Sequence, residues 1–219
     1  MAGADKITGS TKFAQGPPTP KGRDTRRRLL EAAASLFAER GYAHVRVSDI
    51  TEAAGLSPGA FYRYFVDRRE LTIELLRGLT SHAFDFVRVP WDDEQPVRSV
   101  RASTQRYFEF YEQHRALFGV LVELSQTDAE VAGIWAQSRE RFYGRIAKSL
   151  ARGIDQGAVR ADIDAPVAAE LLGSMSEFYA FQRFLLGGDA LRAVPIESVA
   201  ETLATIWTSG VLQGVHAKK

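Results

Sequence analysis

The sequence predicts an all-α protein in two parts, a small N-terminal three-helix domain and a C-terminal helical bundle. Apolar residues recur every three or four positions through most of the chain, the mark of helices with one buried face. No segment alternates apolar and polar residues as a half-buried strand would, and no stretch repeats another. Glycine, proline and capping residues fall between the apolar stripes, where helices should start and stop. A chain of 219 residues, 45% hydrophobic and 25% charged, has the composition of a globular protein with a sizeable core.

Residues 1–22 hold Gly, Pro, Ser, Thr and three lysines with few apolar side chains, and read as a disordered arm. The first helix is expected from Asp24 to Arg40, with Leu29, Leu30, Ala33, Leu36 and Phe37 on one face and Gly41 ending it. Ser48 is placed to cap a second helix, backed by Asp49, and Gly55 stops it. Ser57 then caps a third helix with Pro58 at its first position. Phe61 and Phe65, four apart, should bury together, leaving Ala60, Arg63 and Tyr64 outward. Asp67 and Glu70 form a capping box for a fourth helix of about 20 residues, from near Arg68 to Phe86, which bridges the two domains. The N-terminal domain is thus 23–70 and the C-terminal domain 71–219.

Val89–Pro96 is acidic and bounded by proline, hence a loop. Beyond it five helical stretches follow, Val97–His114, Ala116–Ser125, Thr127 or Asp128 to about Gln156, Pro166–Leu186 and Pro195–Leu212. The last two are too apolar for simple surface helices. Their faces, which include Leu171, Met175, Phe178 and Ile206, either finish the core or meet a partner.

Two short helices joined by a glycine turn, the second with an exposed N-terminal end, match the helix-turn-helix design for DNA. Spacing alone fits an ordinary helical hairpin equally well. Charge favours DNA. Residues 1–70 carry 12 Lys/Arg against 8 Asp/Glu, whereas residues 71–219 carry 16 against 19. Phosphate candidates are Arg46, Ser57, Tyr62, Tyr64 and Arg68. The tyrosines can also pack against the fourth helix, since a phenol has an apolar body and a polar tip. The arm is either a passive tail or a further phosphate contact through Lys21, Arg23 and Arg26–Arg28.

The ordered set LLEAAASLFAERGY, VSDITEAAGLSPGAFYRYF and the Phe-x-x-Arg-x-x-Leu ending at Leu71 resembles the DNA-binding domain of the TetR (tetracycline repressor) family, over about a fifth of the chain. Three residues depart from the family pattern: Thr51 for alanine, Ala60 for threonine and Arg68 for lysine. The resemblance implies that Ser48, Pro58, Gly59, Ala60 and Arg63 face bases in the major groove. More loosely, Gly157–Gly188 resembles the family's C-terminal half, which implies a homodimer through the last two long helices.

The resemblance also implies an apolar cavity for a small-molecule effector. Tyr107, Phe110, Tyr111, Trp135, Phe142, Phe178 and Phe181 are its candidate lining, although aromatic stripes otherwise build core. Glu123, inside LFGVLVELS, either faces solvent or anchors the ligand. The implied function is a cytoplasmic, homodimeric repressor released from its DNA operator by a small apolar or aromatic ligand. The alternative is an architectural DNA-binding protein without an inducer. With no cysteine, scattered histidines, no Gly-x-Ser-x-Gly and no P-loop, neither a metal site, a cofactor nor an enzyme is expected. No apolar run reaches a membrane span.

Overall fold

The computed structural model describes residues 19–89, 92, 95–187 and 189–212. Among them are ten α-helices: α1 (Pro20–Arg40), α2 (Val47–Ala53), α3 (Pro58–Phe61), α4 (Arg68–Phe86), α5 (Pro96–Gln113), α6 (Arg115–Ser125), α7 (Ala129–Asp155), α8 (Ala165–Phe181), α9 (Asp189–Ala193) and α10 (Ile196–Val211). No strand occurs among the described residues. One isolated bridge joins Val159 to Leu212. The chain divides into two compact units between Leu76 and Arg77, within α4 rather than before Leu71.

The first unit is built around side chains with almost no exposure: Leu29 and Ala33 of α1, Val45, Ile50 of α2, Phe61 of α3, Phe65, and Leu71 and Leu76 of α4. Burying each large apolar side chain is worth about 1.5–3 kcal/mol. Helix α1 begins earlier than expected. The Thr19 hydroxyl accepts from the Gly22 N–H at 3.1 Å and Pro20 takes the first position, so residues 20–22 are helix and not arm. The rest of the expected arm, 1–18, lies outside the described residues. Glycine is needed between α2 and α3. Gly55 takes φ +63°, its N–H donates to the Glu52 carbonyl at 2.9 Å, and the Leu56 N–H donates to the Thr51 carbonyl at 2.8 Å, which is a Schellman closure.

Three arginines close this unit from within. Arg26 forks onto the Glu74 carboxylate and lies over the Phe65 ring at 5.1 Å. Arg28 donates to the Ala54 carbonyl, at the end of α2. Arg68 donates to the carbonyls of Tyr42 (2.9 Å) and Val45 and sits 4.2 Å from the Tyr42 ring centre. Buried Thr51 donates its hydroxyl to the Ser48 carbonyl at 2.9 Å, so the polar departure from alanine is satisfied inside its own helix.

In the second unit α5 packs on α10, and α7 packs on α6 and α8. One core cluster gathers Phe108, Tyr111, Ala180, Phe184 and Leu203. A second gathers Leu150, Val159, Ala165 and Ala169. Asp128 caps α7, accepting from the N–H groups of Glu130 and Val131, and Asp164 caps α8, accepting from Val167. Helix α8 runs into a π-helical turn, Gln182–Leu186. Short α9 escaped the sequence reading, since it lies just past a glycine pair and has only one and a half turns. Buried Arg183 holds it, donating to the carbonyls of Leu191 and Val194, both at 2.7 Å. Of the Val89–Pro96 loop, residues 89, 92, 95 and 96 are described.

Candidate functional site

The N-terminal end of α3 is the exposed point of the first unit. Ser57 caps it from an extended backbone, with its hydroxyl making no cap hydrogen bond, and Pro58 follows at the first position. Ser57, Pro58, Gly59, Tyr62 and Arg63 are all exposed, with Tyr62 54% accessible. A Cβ built at Gly59 would meet nothing within 4 Å, so close backbone approach there is open. Arg46 and Ser48 are exposed at the start of α2, and Tyr64 is half-buried.

Three of the sequence-predicted DNA residues stand differently. Ala60 is buried, only 6% exposed, because the inward stripe of α3 comprises Ala60 with Phe61, not Phe61 alone. Its methyl packs inward and faces no base. Ser48 does not cap α2. Asp49 accepts from the Arg46 N–H at 2.7 Å, so Arg46 is the cap and Ser48 lies in the first turn. Arg68 turns its guanidinium onto the Tyr42 and Val45 carbonyls, so it acts as an internal clamp and not as an outward phosphate ligand.

In the second unit a cavity of ≈1470 Å³ opens among the end of α4, α5, α6, α7, α8 and α10. That exceeds the usual span of ligand pockets, about 300–1,000 Å³. Of the candidate ligand residues, Tyr107, Tyr111, Trp135, Phe142, Phe178 and Phe181 line it. Phe110 does not. It is buried against Phe86, His114 and Phe118. Glu123 is exposed and also lies outside the lining.

The carboxylate that does line the cavity is Glu177 of α8. It accepts from the Trp135 indole N–H at 2.9 Å and from the Tyr143 hydroxyl, and pairs with Arg139 at 3.1 Å. Burial, then the Glu177 charge, pushes the Tyr107 hydroxyl well above its ordinary pKa. Burial, then the hydrogen bond to Glu177, raises Tyr143. Both phenols are therefore neutral, and that of Tyr143 donates to Glu177. Gly173 makes room for this arrangement, since a Cβ there would overlap the Tyr143 ring.

Arg145 also lines the cavity, 4.7 Å from the Phe84 ring centre and 5.4 Å from that of Phe142. Desolvation, then the charge of Arg88, lowers its pKa. A signal for these residues was present in the sequence. Trp135, Arg139, Phe142, Arg145, Ser149 and Arg152 follow one another at three- or four-residue spacing on α7, so its basic and aromatic residues share one face.

Residues 29–75 match the family model of bacterial regulatory proteins of the tetR family, and residues 100–212, more than half of the chain, match that of the C-terminal domain of the transcriptional regulator EthR. This chain belongs to the TetR family. The regulator EthR of Mycobacterium tuberculosis is 26% identical over 197 residues, covering 88% of this chain and 89% of its own. The repressor KstR2 of the same organism is 31% identical over 139 residues, covering 62% of this chain and 70% of its own. A solved regulator from Saccharomonospora viridis, in complex with choline, superposes with a TM-score of 0.70 at 23% identity, over 87% of this chain and 98% of that one, a likeness of fold. The TetR-family protein described here is a DNA-binding transcriptional regulator. No described helix is long and apolar enough to cross a membrane.

Proposed function

We propose that this protein is a cytoplasmic, homodimeric repressor that leaves its DNA operator when a small, largely apolar ligand fills the cavity of the second unit. The observation that carries the reading is the cavity itself. A partly open cavity of ≈1470 Å³ bordered by aromatic rings leaves apolar surface unpacked that a bundle built only for stability would cover. It weighs against an architectural DNA-binding protein, for which a filled core would serve better.

Pairing is supported by α8 and α10. Val167, Leu171, Met175 and Phe178 recur along one exposed face of α8, with Leu171 66% and Phe178 60% accessible, and Ile206 of α10 is 53% accessible. Apolar exposure in a row of this kind marks an interaction surface. Two-fold pairing gives a helix-turn-helix its second half-site, about one DNA turn away. Base contacts fall to Ser48, Pro58, Gly59 and Arg63, and phosphate contacts to Arg46, Ser57, Tyr62 and Tyr64. A ligand that prefers a different spacing of the reading helices draws the population off DNA by its differential affinity.

Sedimentation of the wild type and Leu171→Glu, with promoter-DNA binding measured on the same samples, tests the reading. The wild type should sediment as a dimer and bind DNA. Leu171→Glu should be monomeric with much weaker binding. A wild-type monomer that still binds its promoter tightly would overturn the dimer.

A further inference from the structure

The polar atoms of the cavity are unevenly matched. Four arginines line it (Arg88, Arg139, Arg145 and Arg152) against one acid, Glu177. That acid is already engaged by Trp135, Tyr143 and Arg139. On the donor side, two lining residues carry buried nitrogens with no acceptor in reach, Nη1 of Arg145 and Nε1 of Trp207. A buried donor left without an acceptor costs roughly 1–3 kcal/mol, and more when charged. No carboxylate pairs with Arg145 among the described residues, and its neighbours at Phe84 include another cation, Arg141, 4.5 Å from the same ring centre. The site is therefore short of acceptors and of negative charge.

We infer that the cavity takes an anionic amphiphile, a carboxylate on an apolar body, with the carboxylate seated on Arg145 and the body laid along Phe142, Trp135 and Phe181. Arginine offers a planar fork suited to a carboxylate, and the flanking rings hold the guanidinium in place while keeping water from it. The Trp207 N–H supplies a second, neutral donor. Glu177 already takes three donors from α7, one of them the cation Arg139, and so has little negative charge left for a cationic ligand. The inference rests on the reading that the cavity is the effector site, and it is more specific in naming the ligand's charge.

Calorimetric titration of the full chain with three probes of equal chain length, each below its micellar concentration, tests it: dodecanoate, 1-dodecanol and dodecyltrimethylammonium. The wild type should bind dodecanoate at least about tenfold more tightly than either of the others, as a charged hydrogen bond predicts. Arg145→Met should erase that preference while leaving 1-dodecanol binding intact, Arg145→Lys should keep part of it, and Trp207→Phe should reduce it less. Thermal unfolding separates a binding role from a merely structural one. Because Arg145 has no acid partner, Arg145→Met should melt at or above the wild-type temperature. Equal affinity for the alcohol, tighter binding of the cation, no binding of dodecanoate, or an Arg145→Met protein with the preference unchanged overturns the inference. DNA release, measured in parallel, keeps the two readings apart. Dodecanoate that binds through Arg145 without releasing DNA removes the inducer reading alone. Release by 1-dodecanol at concentrations no higher than dodecanoate requires, in the wild type as in Arg145→Met, removes this inference alone.

Discussion

Arginine is used in opposite ways in the two units. In the N-terminal unit Arg26, Arg28 and Arg68 turn inward onto Glu74, the Ala54 carbonyl and the carbonyls of Tyr42 and Val45, and the core beneath them is closed. In the C-terminal unit Arg145 faces a cavity of ≈1470 Å³ with a buried nitrogen that no acceptor reaches. A surface that reads DNA has to be held rigidly, so each of these three arginines directs terminal nitrogens to acceptors within the protein, although Nε of Arg26 is buried without one. A chamber that receives a ligand gains affinity from groups left unmatched until the ligand arrives.

The largest expected effect tests the closed core. Phe61→Ala should cost about 3–5 kcal/mol in denaturant unfolding. Phe142→Ala, half-buried on the cavity wall, should cost less than half as much, since it enlarges a space that already exists. Equal losses would break the contrast between the two units. Next in size is Arg68→Ala, which takes the guanidinium donor away from the Val45 and Tyr42 carbonyls, the latter keeping the Val45 N–H, and should lower stability by about 1–3 kcal/mol. Arg63→Ala, at an exposed position, should leave the unfolding midpoint in place.

Gly173→Ala sharpens the account of the cavity wall. The added methyl collides with the Tyr143 ring, and overpacking of this kind costs roughly 1–3 kcal/mol. It should also free the Glu177 carboxylate from one donor. Tyr143→Phe combined with Gly173→Ala should then cost less than the sum of the two changes. Strict additivity would show that the glycine does not serve the tyrosine.

The smallest effect concerns pH. Burial, then the charge of His82, lowers the pKa of His114, whose ring lies tilted against that of Phe110. The unfolded chain therefore takes up a proton at this residue before the folded one does. Stability should be full above the ordinary histidine value, about 6.5, and fall as pH drops from there towards the lowered folded value. His114→Gln should flatten that slope in urea midpoints measured between pH 7 and pH 5. An unchanged slope would place the acid sensitivity elsewhere.

Much of this architecture was legible before any coordinates. Apolar spacing gave the long helices to within a few residues, because four or more turns of a buried face leave a clear period. Fine registration was harder. Ser48 is the better cap by residue type, yet α2 starts after Arg46, whose N–H donates to the Asp49 carboxylate, a registration that side-chain preference alone does not give. Ala60 has no size or charge to say which way it points on a helix of one turn. Arg68 shows the general difficulty. A basic residue at a helix N-terminus next to a DNA motif suggests phosphate, yet whether its long side chain reaches out or folds back depends on carbonyls more than 20 residues away in sequence. Resemblance named aromatic candidates of which six border the cavity, but the Glu177 network joins α7 to α8 across 34 and 42 residues, which a helical period cannot show.

The most direct test of the central claim is binding of the purified protein to duplex DNA from upstream of its own gene, followed by anisotropy across a salt series, for wild type and Arg63→Ala. The account predicts tight, sequence-selective binding that weakens steeply with salt, with Arg63→Ala weaker and, where Arg63 meets a phosphate, its salt slope lower by about one. Weak binding that ignores sequence and is unchanged by Arg63→Ala would contradict it.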